Sequence, residues 1–108
     1  MNVDYHVEIR AECLRPADEG WEQPRGAEVQ ELVRRIGLSG RALARVLGLS
    51  KHGGRQVRRW ISGETPIPYI AWAILCDMAG FGTIWRGKSL DAASSGTAEA
   101  DEAEDSEE

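Results

Sequence analysis

Three short stretches of apolar residues at helical spacing, each closed by a glycine, limit what this chain can fold into. Val29, Leu32, Val33 and Ile36 fall at i, i+3, i+4 and i+7 and run up to Gly37. Ala42, Leu43, Val46 and Leu47 run up to Gly48, and Val57, Trp60 and Ile61 lead to Gly63. Each stripe can bury one face of a helix. None is long enough to hold a helix in water unaided, because nucleation is costly and tertiary packing must supply the stability. Such a chain has to gather its short helices around one shared core.

The flanking segments follow other rules. From Val3 to Cys13 apolar and polar residues alternate, and a period of two predicts a half-buried β-strand. Residues 15–26 hold two prolines and two glycines and read as a loop. Ser39 suits the N-cap of the second helix. Gly53-Gly54 is a poor helix interior, at about 1 kcal/mol per glycine, so the third helix is expected to start near Arg55. Thr65-Pro66 is a suitable entry to a fourth helix, threonine capping and proline in the first turn. In residues 69–79 only Asp77 is not apolar, so that helix needs cover on every side. Gly80 and Gly82 end it, and Thr83–Trp85 is a short candidate strand. Beyond Lys88 the Ala/Ser/Glu/Asp composition predicts disorder. The expected fold class is mainly α. Four to five helices span 27–86, a strand and loop occupy 1–26, and an acidic tail fills 87–108. The strand would pair with residues 83–86 or across a dimer.

The net charge of −5 hides a segregated distribution. Residues 25–62 carry nine Lys/Arg against Glu28 and Glu31, a net of +7. Residues 1–24 carry a net of −4, and residues 91–108 hold eight acids and no base. A basic module between acidic segments is the electrostatic footprint of nucleic-acid binding. Other classes find little support. Cys13 and Cys76 have neither zinc nor disulfide-framework spacing and suit reduced thiols in a cytoplasmic protein. No signal peptide or membrane span is read, no cofactor is implied, and nothing forms a catalytic set, so the chain is not expected to be an enzyme. His6 and His52 stand alone, so no metal site is expected.

Two short helices joined through Gly48 make a helix-turn-helix signal, with Leu43 and Leu47 inward and small Ala44 allowing close approach. Gly37-Leu38-Ser39, Leu43-Ala44, Leu47-Gly48-Leu49-Ser50 and Val57-Arg58-Arg59-Trp60 before Gly63 resemble the lambda-repressor-like (XRE-type) family over about residues 27–80. The block RRWISGETPIPYIAWAILCDMAG further resembles small autorepressors of phages, plasmids and other mobile elements, including those that accompany anti-CRISPR genes. The resemblance implies a repressor that binds double-stranded DNA at its own promoter. Val57 lies seven residues after Ser50 where the family has four, so Lys51-His52-Gly53-Gly54 reads as a lengthened turn.

In that register Val57, Trp60 and Ile61 face inward, and Arg55, Gln56, Arg58 and Arg59 point outward as candidate base contacts. Arginine forks onto guanine O6/N7 and glutamine pairs with adenine N6/N7. Ser39, Arg41, Lys51, His52, Gly53 and Gly54 are candidates for phosphate. Arg34 and Arg35 are expected to pair with Glu31. A homodimer is expected through the fourth helix, at Tyr69, Trp72, Ala73 and Cys76, reading a palindrome. Two alternatives stand beside this reading. One is an antitoxin that represses a toxin operon; the other is an interaction module that does not use DNA.

Overall fold

The computed structural model describes residues 7–88. A 3-10 turn at Ala11–Leu14 precedes four helices, α1 (Gly26–Ile36), α2 (Gly40–Val46), α3 (Gly53–Ser62) and α4 (Tyr69–Met78). No strand occurs among the described residues. The candidate acidic tail from residue 89 onward lies outside them, as do Val3–His6 of the expected strand.

The glycine-stopped stripes become α1, α2 and α3. Val29 and Leu32 of α1, Leu43 and Ala44 of α2, and Val57 and Trp60 of α3 are buried together. Gly37 and Gly63 end α1 and α3 at φ +82° and +84°, values a side chain rarely tolerates. Ser39 caps α2, its Oγ accepting the Ala42 N–H at 3.1 Å. Helix α3 packs against both α1 and α2, and α1 also meets α4. The core is completed by Ile67, Trp72, Leu75, Cys76 and Ile84.

The segment expected as a strand takes another form over its described part. Residues 7–10 are irregular and 11–14 coil into the 3-10 turn. Its amides are bound by side chains of α1: Val7 N–H donates to Glu31 Oε1 at 3.2 Å and Arg10 N–H to Glu28 Oε2 at 3.1 Å. These two donors are satisfied without a neighbouring strand. Ile9 and Cys13 still bury, so the alternation marks contact with the core rather than a sheet. The Cys13 carbonyl accepts two indole N–H groups, from Trp72 at 2.7 Å and Trp21 at 3.1 Å. The supposed partner at 83–86 is a turn, closed by Arg86 N–H on the Thr83 carbonyl at 3.2 Å.

Two helix starts also differ from expectation. Helix α4 begins after Pro68, because Thr65 belongs to the exit of α3, its N–H donating to Arg59 O at 3.3 Å. Ile67 between them is buried, and its carbonyl accepts from Gln23 Nε2 at 2.9 Å. Helix α3 begins at Gly53, two residues before Arg55. A β-carbon on Gly53 would sit 2.6 Å from Leu49 Cβ and 2.7 Å from Ala44 Cβ. The missing side chain lets α3 close onto α2, and that contact outweighs glycine's low helix propensity.

Candidate nucleic-acid interface

Helix α3 carries its buried and exposed residues on opposite faces, as its spacing requires. Val57 and Trp60 are inside; Arg55, Arg58 and Arg59 are exposed, and Gln56 is half-buried. Two contacts fix the height of the helix on its supports. Gly53 seats its first turn against Ala44 and Leu49. At its other end, the Ile61 carbonyl oxygen lies against the place a β-carbon on Gly26 would take, so the start of α1 must be glycine to meet it. Gly26 was unmarked in the sequence, since a glycine before a helix reads equally well as loop.

An open cleft of about 620 Å³ runs between α1, the start of α2 and α3. Ser39, Arg41, Lys51, His52, Arg55 and Arg58 ring it, and Val33, Val57 and Ile61 form its apolar floor. On the other side of Arg55 a second hollow of about 330 Å³ includes Ser50, His52, Gln56 and Arg59. No carboxylate lines either. The fold therefore brings five of the six residues expected at phosphate (Ser39, Arg41, Lys51, His52 and Gly54) to the same surface as Arg55 and Arg58. The sixth, Gly53, is buried, and its N–H donates to the Ser50 carbonyl at 2.8 Å. Its place is in helix packing.

The two acids inside the basic segment are turned away from this surface. Glu31 accepts from Arg34 Nη2 at 2.6 Å and Arg35 Nε at 2.7 Å. Those bonds, Arg34 foremost, outweigh burial and hold its carboxyl at about 2. Burial pushes Glu28 up, but bonds from the Arg10 side chain and from the Arg25 and Arg10 N–H groups prevail and hold it at about 2. Among the described residues none of Arg41, Lys51, Arg55 and Arg58 is ion-paired; Arg59 stands 3.9 Å from Glu64. The clamp of Glu28 and Glu31 on the N-terminal segment was missed in the sequence. Two acids on a basic helix gave no hint of a distant backbone partner.

Of the residues expected at a dimer interface, Trp72, Ala73 and Cys76 lie in the chain's own core. Tyr69 donates its hydroxyl to the Arg15 carbonyl at 3.1 Å and packs edge-on against Trp21. Cys13 and Cys76 are free and wholly buried, and burial pushes their thiols up to about 11 and about 12. No group of three or more potential metal ligands occurs among the described residues, and none of their helices is long and apolar enough to cross a membrane.

Two curated relatives match closely. Over 82 residues, 76% of this chain and 95% of the relative, it is 58% identical to the transcriptional repressor protein KorC of Escherichia coli. A second protein of that name and organism is 58% identical over 78 residues, 72% of this chain and 91% of the relative. No protein-family model matches the chain. No solved structure matches it either.

Proposed function

We propose that this chain, which belongs to the family of the KorC transcriptional repressors, represses by binding operator DNA with α3 in the major groove. Helices α2 and α3 then act as a lambda-repressor-like helix-turn-helix. The observation that carries the reading is the exposed face of α3, where Arg55, Arg58 and Arg59 stand away from the buried Val57 and Trp60, with half-buried Gln56 at its edge. That face joins a cleft lined by Arg41 and Lys51 and by no acid.

The roles follow from donor geometry. Each arginine offers a planar fork that matches guanine O6/N7, and Gln56 offers the donor–acceptor pair that matches adenine N6/N7. Arg41, Lys51 and His52 flank the helix at the height where phosphates pass and set its register. Ser39 uses an oxygen lone pair on Ala42 N–H, which leaves its hydroxyl proton for a phosphate oxygen. Gly54 has no side chain to hold a strand away. One three-turn helix reads few base pairs, so a homodimer on a palindrome, with half-sites about 34 Å apart or a multiple of that, supplies the specificity. Autoregulation follows if the operator overlaps the chain's own promoter.

Footprinting on the DNA upstream of the coding sequence tests this. The native chain should protect a two-fold symmetric site. Arg55→Ala, Arg58→Ala and Arg59→Ala should each cost about 1–3 kcal/mol where a bidentate base contact is lost, and relax specificity at one base pair. A triple variant that remains folded and protects the site as before rejects α3 as the reading helix.

A further inference from the structure

We propose that the groove between the end of α2, Trp60 of α3 and the outer face of α4 is where a second copy of this chain docks. Each copy seats an isoleucine ridge in the other's groove. This rests on the homodimer reading above and gives it a surface other than the one the sequence suggested.

Helix α4 covers only part of its apolar circumference. Ile70, Ile74 and Met78 recur at i, i+4 and i+8 and remain 75%, 40% and 36% exposed. They form one ridge along the helix. Beside it lies an open groove of about 190 Å³ walled by Leu47, Leu49, Trp60 and Pro68, with Ile70 and Ile74 on its near side. An apolar cavity of about 150 Å³ takes a benzene ring, so this one has room for an isoleucine side chain. Ridge and groove are adjacent on one patch. An isologous two-fold contact requires that arrangement, because the same surface must supply both knob and hole.

Charge points to the same occupant. The segment 25–62 has a net charge of +7, so two copies repel over most of that surface. No Lys, Arg, Asp or Glu lines the groove itself, so seating an isoleucine there buries no charge. The rest of the chain offers poor substitutes. Residues 89–108 contain one large apolar residue, Leu90, among eight acids. Val7, where the described residues begin, has its N–H held by Glu31 of α1, and α1 contributes nothing to the groove.

Trp60 adds a second mark. Its Nε1 is the only buried side-chain nitrogen or oxygen among the described residues with no hydrogen-bond partner. A shielded N–H without an acceptor is unfavourable. Trp60 itself walls the groove, so a docking copy meets the residue that carries this unpaired N–H.

Sedimentation of the full chain, free and bound to DNA, combined with indole 15N–1H spectra over a concentration series, tests the surface. The wild type should sediment at twice the chain mass at micromolar concentration. Ile70→Arg and Ile74→Arg should weaken association at least tenfold, with unchanged circular dichroism and melting. Ile70→Ser should act in the same direction without an added charge. In the wild type the Trp60 indole signal should move with concentration. Those of Trp21 and Trp72, both bound to Cys13 O, should stay fixed. A wild type that dimerises while all three variants dimerise equally well overturns this surface and leaves the homodimer standing. A wild type that stays monomeric on and off DNA overturns both.

Discussion

Replacing Glu28 with glutamine should destabilise the fold by about 2–3 kcal/mol at neutral pH, although the residue touches neither the exposed face of α3 nor the cleft beside it. The Glu28 carboxylate side chain is 3% exposed. It accepts from Arg10 Nη2 at 2.8 Å, Arg10 Nε at 2.9 Å, Arg25 N–H at 2.7 Å and Arg10 N–H at 3.1 Å. Burial alone would raise its pKa, yet these donors hold it at about 2 against an ordinary 4.5. At about 1.4 kcal/mol per pH unit that difference is worth about 3 kcal/mol. Arg10 is 30% exposed and regains water once its partner is neutral, which lowers the expected loss. Glutamine also turns an NH2 towards groups that are all donors.

The sign of the pH dependence follows from the depressed value. The carboxylate contributes fully above its unfolded pKa, and that contribution fades as pH falls from about 5 towards 2. Thermal and urea unfolding followed by circular dichroism at pH 7, 5, 3 and 2 measure it. At about 4–8 °C per kcal/mol, melting should fall by about 10–20 °C at pH 7, and the two proteins should converge near pH 2. A variant within about 0.5 kcal/mol of wild type at pH 7, or a gap that persists unchanged at pH 2, refutes the clamp.

Further outcomes are expected. Gly53→Ala places a methyl 2.6–2.7 Å from Leu49 Cβ and Ala44 Cβ, so it should destabilise by about 1–3 kcal/mol in urea titrations and weaken operator binding by displacing α3. A wild-type melt would show that α2 and α3 can part without cost. Lys51→Ala should weaken binding to all DNA sequences alike and reduce the salt slope of log K by about one, measured by fluorescence anisotropy across a salt series. Sequence-selective loss would move Lys51 to a base. Deleting residues 91–108 removes eight acids and should raise non-specific DNA affinity at low salt while leaving melting unchanged. A truncation that unfolds would show that the tail belongs to the fold.

The sequence by itself determined where α1, α2 and α3 end and which faces they bury. Apolar spacing gives the phase of a helix, and Gly37, Gly48 and Gly63 supply the positive φ at which each run of chain turns away. It also determined the separation of charge, because a count along the chain needs no coordinates. Three features were settled only by tertiary contacts. Alternation over residues 3–13 names the residues that bury but not the acceptors for their amides, and those came from Glu28 and Glu31, far along the chain. Propensity placed Gly53 outside a helix, whereas the close approach of Ala44 and Leu49 requires a helical turn with no side chain at that point. Helix α4 is apolar on all sides, so its pattern carries no phase. Which face it buries was decided by where Cys13, Trp21 and α1 already stood, and Ile70 and Ile74 were left facing solvent.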